Sequence, residues 1–410
     1  MSGKRGRAIW GASVALAFAS LAVALILAEL IVRHVFPTDP GISWNFRIPH
    51  PVLGWGLQPG TTYTNRLPEG GVQVSYNSSG WRDVEHSVEK PPGVFRIVVL
   101  GDSYMEAYSV DFAESFHAQL ERLGRRNGLD LEVINLGVSG YGTLQEYLAF
   151  HHVGRLYSPD LVVLGFYAEN DLVNNSLELE RRVDLDRGRN MESRPFLDPQ
   201  PSDWRITAVG YEDALRRYTA TRAARPWLRR QLHENSALTR LLEIDLAHLR
   251  RRWFGSSAAE ADPAAHQTAA ELAVLGVYRC AEPAEFARAW QITRRVFSRL
   301  NDEVEAAGAR LVVFTVPSMR EIDLDALEAT LRKVSDPDAL CIEQGLPWQR
   351  LAQPLAALGI PLIDLVPPFR AAQRSGERPL YRASDRHWSP AGHALAAQTV
   401  FEALRDQGRL

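Results

Sequence analysis

The chain has 410 residues, of which 46% are hydrophobic and 23% charged, so it can bury a sizeable core and is not a disordered polypeptide. Its formal net charge of -3 leaves no basic excess, which argues against nucleic acid as a partner. Composition is compatible both with two or three domains and with a single enlarged α/β domain that carries insertions.

The N-terminal segment combines positive charge with a long apolar run. A basic start at residues 4–7 precedes an uncharged stretch from Ala8 to Ala28, which as a helix is long enough to cross the roughly 30 Å hydrocarbon layer of a bilayer. The pattern predicts a single-pass anchor with a cytoplasmic N-terminus and a periplasmic or extracellular remainder after about Arg33. A cleaved signal peptide is the alternative, since residues 22–24 have the small side chains of a cleavage site.

The chain contains two cysteines, Cys280 and Cys341. In the oxidising compartment that the N-terminal segment predicts, they are permitted to form one disulfide. The alternative is a pair of buried thiols.

Composition divides the chain into three segments. Residues 1–36 form the cytoplasmic tip and anchor, residues 37–93 an irregular lead-in with a small β hairpin near Gly71–Tyr76, and residues 94–410 an α/β domain. Within that domain, the charged and Arg-rich stretch at about 174–283 has a mostly helical pattern and is too long for a plain connection. We interpret it as a helical insertion that serves either as a lid or acceptor-binding subdomain or as a stabilising appendage.

From Phe95 onward, short apolar runs alternate with amphipathic stretches, the pattern of βα units around a parallel sheet. The predicted strands are nearly continuously apolar, as strands covered on both faces are: Phe95–Leu100, Leu131–Leu136, Leu161–Phe166, Leu311–Val316 and Pro361–Leu365. The predicted helices lie between and after them: Phe112–Asn127, Thr143–Leu156, Ala284–Ala307 and Pro390–Asp406. Right-handed crossovers then predict a flavodoxin-like, doubly wound, five-stranded parallel sheet.

Residues able to perform acyl transfer follow these strands, where ligands bind in such sheets. A serine hydroxyl needs an adjacent base to take its proton, and His387 is the candidate base for Ser103. The imidazole in turn needs a carboxylate to orient it and to stabilise its charged form. Asp385, two residues away, is the candidate for that role.

The tetrahedral intermediate of acyl transfer also requires hydrogen-bond donors at its oxyanion. The predicted donors are the backbone N–H of Ser103, the backbone N–H of Gly140 and the side-chain amide of Asn170. Gly137 is an alternative to Gly140, because both follow the second strand. His151 and His152 have no matching ligands in the sequence, so neither a metal nor a cofactor is expected.

Four blocks of the sequence resemble the motifs of the SGNH/GDSL hydrolase superfamily, in that family's order: GDSY at 101–104, NLGVSG at 135–140, END at 169–171 and DRHWSPAGH at 385–393. The resemblance implies a flavodoxin-like fold and a quartet of Ser103, Gly140, Asn170 and His387.

Two of the four blocks depart from the common pattern of that superfamily. Asp385 lies two residues before the histidine rather than three, and Trp388 follows the histidine in place of proline. That spacing is similar to the membrane-linked branch that includes the alginate O-acetylation proteins. The other departure is Tyr104, where many relatives have leucine.

The expected function is therefore an acyl-ester hydrolase or acyltransferase that passes an acyl group from Ser103 to water or to a carbohydrate hydroxyl. The resemblance implies an O-acetylated cell-envelope or exported carbohydrate as substrate. The alternative is a non-catalytic carbohydrate-binding or scaffold protein that retains the fold.

Overall fold

The computed structural model describes residues 2–35, 47–186, 193–200, 203–224, 236, 238, 274–333, 341–376 and 378–410. The chain forms two compact units, one of residues 1–45 with 219–260 and one of residues 46–218 with 261–410.

The first unit contains the N-terminal helix α1 (Ser2–Val35). The carboxylate of Glu29 on this helix accepts hydrogen bonds from the Ser236 hydroxyl at 2.7 Å and the Leu238 N–H at 3.0 Å. Across the described ranges, no helix combines the length and the apolar character needed to span a bilayer. The predicted transmembrane helix is therefore not confirmed.

The second unit contains all the strands that the structure describes. In chain order they are β1 (Arg47–His50), β2 (Gly54–Leu57), β3 (Thr62–Leu67), β4 (Gly70–Ser75), β5 (Phe95–Leu100), β6 (Leu131–Asn135), β7 (Leu161–Phe166), β8 (Arg194–Leu197), β9 (Ile206–Val209), β10 (Arg310–Thr315) and β11 (Leu362–Ile363).

The α-helices of the described ranges that follow α1 are α2 (Ser103–Glu106), α3 (Phe116–Arg126), α4 (Thr143–His152), α5 (Ala168–Asn175), α6 (Leu177–Asp186), α7 (Tyr211–Ala224), α8 (Ala284–Ala306), α9 (Met319–Ile322), α10 (Leu324–Leu331), α11 (Leu346–Ala357), α12 (Val366–Ser375) and α13 (Pro390–Asp406). Short 3-10 turns occur at Phe112–Glu114, Gly154–Tyr157 and Leu275–Tyr278.

The central sheet has five parallel strands in the order β6-β5-β7-β10-β11. This is the flavodoxin-like order, and it confirms the predicted sheet. Alternate residues of each strand enter different hydrophobic clusters: Val98 and Val162 pack in one, Ile97 and Val163 in the other. Helices therefore cover both faces of the sheet, which explains why its strands are almost continuously apolar.

The lead-in consists of two antiparallel hairpins, β1–β2 and β3–β4, and the second is the hairpin predicted near Gly71–Tyr76. The buried Arg82 just after them donates to the backbone carbonyls of Glu106 at 2.9 Å and Val110 at 2.6 Å. The lead-in therefore packs directly against the segment that follows β5.

The insertion is less uniformly helical than its sequence predicts. Alongside helices α6 and α7, its described residues form the antiparallel hairpin β8–β9. Most of its second half lies outside the described residues. After the insertion, Cys280 and Cys341 form a disulfide, which decides between the two alternatives left by the sequence.

Candidate active site

Ser103 is placed at the carboxyl edge of the sheet by a tight turn after β5. It begins the short helix α2, and the Asp102 carboxylate caps that helix by accepting the Tyr104 N–H at 3.0 Å. A side chain at Gly101 would overlap Met105, so the turn requires glycine there. Asp102 therefore fixes the turn around the candidate nucleophile.

His387 lies on a closed loop that returns the chain to the same edge. Tyr381 and Trp388 pair as an antiparallel bridge, and inside it the Arg382 N–H donates to the His387 carbonyl at 2.8 Å. Arg386 has φ 62°, a left-handed conformation that a non-glycine residue rarely adopts. Because Arg386 lies between Asp385 and His387, its left-handed backbone turns the side chains of these two residues toward each other.

The three predicted catalytic side chains meet. The His387 Nε2 atom lies 2.8 Å from the Ser103 Oγ atom, which is hydrogen-bond distance. On the other side of the ring, Nδ1 lies 3.3 Å from Asp385 Oδ2. Within the described residues, neither His387 Nδ1 nor Asp385 Oδ2 makes a hydrogen bond. The two atoms are therefore close enough for an ion pair but are not aligned for a hydrogen bond. The other carboxylate oxygen of Asp385 accepts the His387 backbone N–H at 3.0 Å.

Aromatic rings hold the imidazole in place. The Tyr104 ring centroid lies 5.1 Å from that of His387 and 5.0 Å from that of Trp388, while the Tyr108 ring lies 5.3 Å from His387. These distances are typical of packed aromatic pairs. Tyr104, where many SGNH sequences have leucine, therefore acts as a brace for the candidate base.

Charge around the imidazole favours its protonated form. Burial by itself would lower the pKa of His387, but the carboxylates of Asp385 and Asp102 outweigh it and raise the pKa above the ordinary histidine value. For Asp385, burial would raise the pKa, whereas the contacts with His387 outweigh burial and lower it. An imidazole with this environment is stabilised as imidazolium, the form that it takes when a serine proton is transferred to it.

In the described part of the chain, the two alternative backbone donors after the second strand, Gly140 and Gly137, differ in whether their N–H groups are free to bind an oxyanion. Gly140 adopts φ 79°, which favours glycine, and it is only half-buried. The N–H of Gly137, the alternative donor, is already taken by the Asn135 side chain at 3.0 Å. Gly140 is therefore the better candidate of the two.

Asn170 lies at the predicted site, but its amide is engaged. Its Nδ2 atom donates to the Asp102 carboxylate at 2.8 Å and to the Tyr141 carbonyl at 3.2 Å. Its Oδ1 atom accepts from the Asn174 amide at 2.6 Å. To donate to an oxyanion, the Asn170 amide must exchange one of these two acceptors for substrate.

Two buried carboxyl groups behind the nucleophile were not identified from the sequence as a pair. Burial and the charge of Asp102 raise the pKa of Glu146 and of Asp171 well above the usual range, and the charge of Asp171 raises that of Glu146 further. Asp171 anchors the start of α5 by accepting the Tyr167 N–H at 2.7 Å. Within the described residues Glu146 has no hydrogen-bond partner for either carboxyl oxygen, so its surroundings favour the neutral form of this carboxyl group.

The lead-in, residues 37–93, also contributes to the site, although no motif within it indicates this. Arg47 on β1 donates to the Ser139 carbonyl at 2.5 Å, and its guanidinium stacks over Trp55 at 4.4 Å. At the tip of the β3–β4 hairpin, the Glu69 carboxylate accepts the N–H of Ser384 at 2.9 Å and its hydroxyl at 2.7 Å. Residues outside the four motifs thus support both the segment around Gly140 and the loop that carries His387.

A flavodoxin-like sheet whose carboxyl edge brings a serine, a histidine and an aspartate together has the arrangement expected of an SGNH-type protein. Residues 279–410 match a family model described as the SGNH hydrolase-like domain of the acetyltransferase AlgX. The chain thus resembles the SGNH superfamily and AlgX within it, as its motifs predict.

Several solved structures are also similar in fold. The acetyl xylan esterase AlAXEase is 11% identical with a TM-score of 0.37, and the match covers 76% of this chain and 100% of that one. A lipase/acylhydrolase from Enterococcus faecalis is 13% identical with a TM-score of 0.36, covering 76% and 96%. The psychrotrophic esterase EstA from Pseudoalteromonas sp. is 10% identical with a TM-score of 0.36, covering 77% and 99%. No curated protein matches the chain.

Proposed function

We propose that the chain is a serine-dependent acyl-ester hydrolase or O-acyltransferase that works through an acyl-Ser103 intermediate. The observation that carries this proposal is the 2.8 Å contact between His387 Nε2 and Ser103 Oγ, with Asp385 on the other side of the ring. The match of residues 279–410 to a domain described as that of an acetyltransferase supports the same class of reaction.

In the first half of the reaction, Ser103 Oγ attacks the acyl carbonyl carbon while His387 Nε2 takes the hydroxyl proton. Asp385 stabilises the imidazolium that forms. The carbonyl π electrons move to oxygen, and the resulting oxyanion is stabilised by the N–H groups of Ser103 and Gly140 and by the Asn170 amide once it turns to the substrate. The intermediate collapses, the bond to the leaving alkoxide breaks, and His387 returns the proton to that oxygen.

In the second half, water or a sugar hydroxyl attacks the acyl-Ser103 carbonyl. His387 removes the proton of the incoming group and then delivers it to Ser103 Oγ as the acyl bond to serine breaks. Water as acceptor gives a free acid, and a sugar hydroxyl gives an acylated glycan. The same three side chains serve both outcomes, so the acceptor decides between hydrolase and transferase.

An O-acetylated cell-envelope or exported carbohydrate is the substrate class that we favour, and we place the reaction outside the cytoplasm. The disulfide between Cys280 and Cys341 supports this location, because such bonds persist in oxidising compartments. The family description supports acetyl as the acyl group.

Labelling with a fluorophosphonate tests the proposal, since this probe reacts covalently with activated serine hydroxyls. The full chain is expected to take one label at Ser103 and to hydrolyse p-nitrophenyl acetate. Ser103→Ala is expected to abolish both, and Ser375→Ala, which changes an exposed serine, is expected to retain both.

A folded protein that takes no label at Ser103 and turns over no ester would contradict the proposal and favour a carbohydrate-binding scaffold. Incubating the active protein with an acetyl donor, with and without a glycan, separates the two enzyme classes. Acetylated glycan indicates transfer, and acetate alone indicates hydrolysis.

A further inference from the structure

A cleft lies away from Ser103, toward the far end of α4. Its volume is about 430 Å³, and its walls come from the β1–β2 turn, the hairpin β8–β9, and helices α4 and α8. Helix α4 begins three residues after Gly140. Four of its residues line the cleft and lie about 6–14 Å farther along the helix axis: Tyr147, Leu148, His151 and His152. The cleft shares no lining residue with the candidate active site.

One wall of this cleft is an aromatic platform. The Trp204 side chain is 37% exposed, although it is large and apolar. The Tyr147 ring meets it edge-on at 5.6 Å between centroids, and the Arg299 guanidinium lies 5.9 Å from its ring centroid. The segment that carries Trp204 is tied to α8, because Arg295 donates to the carbonyls of Asp198 at 2.7 Å and Asp203 at 2.5 Å. The indole is therefore held in position with one part of its surface open to solvent.

Polar groups beside the platform are held by a single carboxylate. Glu303 accepts a hydrogen bond from the Tyr147 hydroxyl at 2.8 Å, and it lies 2.6 Å from His151 Nδ1 and 3.1 Å from Arg299 Nε. Burial would raise the pKa of Glu303, but the hydrogen bonds from His151 and Tyr147 lower it below its usual range. Glu303 is thus ionised at neutral pH and compensates the charge of Arg299.

We propose that this cleft is a binding site for a pyranose ring of a neutral glycan chain, separate from the site at Ser103. A pyranose presents apolar C–H groups on its face and hydroxyls around its edge. The exposed indole of Trp204 matches the face, while His152 and Arg299 at the margin supply partners for the hydroxyls. The cleft volume falls within the range of small-ligand sites. Because Glu303 compensates Arg299, the cleft has no excess charge with which to select an anion.

Calorimetric titration of the full chain tests this site, with xylotetraose, cellotetraose and chitotetraose as neutral probes and tetragalacturonate as an anionic one. At least one neutral probe is expected to bind. Trp204→Ala is expected to weaken that binding at least about tenfold, as loss of the aromatic contact implies, and Trp204→Phe is expected to weaken it less. Leu156→Ala, which truncates another exposed hydrophobic side chain outside the cleft, is expected to bind as the wild type does.

Thermal unfolding of each variant shows that it is folded before titration. Absence of binding by every neutral probe, binding of the anionic probe alone, or equal affinity in wild type and Trp204→Ala would overturn the proposal. The two sites fail independently: Ser103→Ala is expected to keep glycan affinity, and Trp204→Ala is expected to keep the wild-type rate on p-nitrophenyl acetate. A protein that binds glycan but never turns over ester would contradict only the proposed chemistry.

Discussion

Asp385→Asn is the substitution that isolates the electrostatic part of the proposed mechanism, because it removes the charge and keeps the shape. At 3.3 Å, a carboxylate and an imidazolium attract each other by about 5 kcal/mol at an effective dielectric constant of about 20 and by about 1.3 kcal/mol in bulk water. The two side chains are 20% and 18% exposed, so an intermediate figure of about 3 kcal/mol applies. If this attraction acts in full when the imidazolium forms, kcat/KM falls about 10²-fold.

The pH profile of the same variant provides a second readout. His387 acts as a base only when it is neutral, and its pKa is raised above the ordinary value of about 6.5. Wild-type kcat/KM is therefore expected to rise with pH through a midpoint above that value. Asp385→Asn removes the largest cause of the upward shift in the His387 pKa, so the midpoint is expected to move to lower pH.

Hydrolysis of p-nitrophenyl acetate across the pH range measures both effects. Asp406→Asn, which neutralises an exposed carboxylate near the end of α13, is the matched control. A loss no larger than that of the control, together with an unmoved midpoint, would refute the role given to Asp385.

Two further substitutions test the surroundings of the nucleophile. Gly140→Ala places a Cβ atom on a residue with φ 79°, 3.1 Å from Arg47 Nη2. We expect the free energy of unfolding to fall by about 1–2 kcal/mol because of the left-handed backbone. We also expect kcat/KM to fall about 10²-fold because the N–H donor is displaced. Gly359→Ala is the control, because it has φ 70° with no neighbouring atom, and equal activity losses in both would contradict the oxyanion role. The raised pKa of Glu146 means that the folded protein keeps a proton on this carboxyl group at pH values where the unfolded chain, with a pKa of about 4.3, releases it. The free energy of unfolding therefore falls as the pH rises above about 4.3. Glu146→Gln is expected to flatten this decline in denaturant unfolding between acid and neutral pH by on the order of 1 kcal/mol per unit, and Glu89→Gln is expected to leave it unchanged.

The central sheet was predictable because burial on both faces leaves a strong trace in sequence. Runs such as Leu161–Phe166 are apolar throughout, and the structure buries every residue of that strand. The position of Ser103 was predictable because it directly follows β5, and parallel strands end at a common edge. Asp385 and His387 lie on a loop beyond α12, so the motif that contains them, rather than a strand end, predicted their place in the site. The short spacing between Asp385 and His387 also needed only one turn to bring their side chains together.

Other features depend on contacts between distant segments and leave no local pattern. The charged, Arg-rich sequence around the hairpin β8–β9 predicts helix there, yet Arg194 at its start is buried and donates to the Gly140 carbonyl at 2.8 Å. The engagement of the Asn170 amide by Asp102 follows from a contact across 68 positions. Propensity and periodicity cannot report such pairings.

The two hairpins ahead of the sheet give the protein a scaffold that its motifs do not reveal. The Asn65 amide donates to the Tyr108 carbonyl at 3.1 Å, and the Tyr76 hydroxyl donates to the Glu106 carboxylate at 2.9 Å. Glu69 reaches across to the histidine loop. A minimal fragment trimmed to the α/β core would lose all three ties at once. Conversely, substitutions confined to these hairpins offer a way to alter the surroundings of Ser103 and His387 while every motif residue stays unchanged.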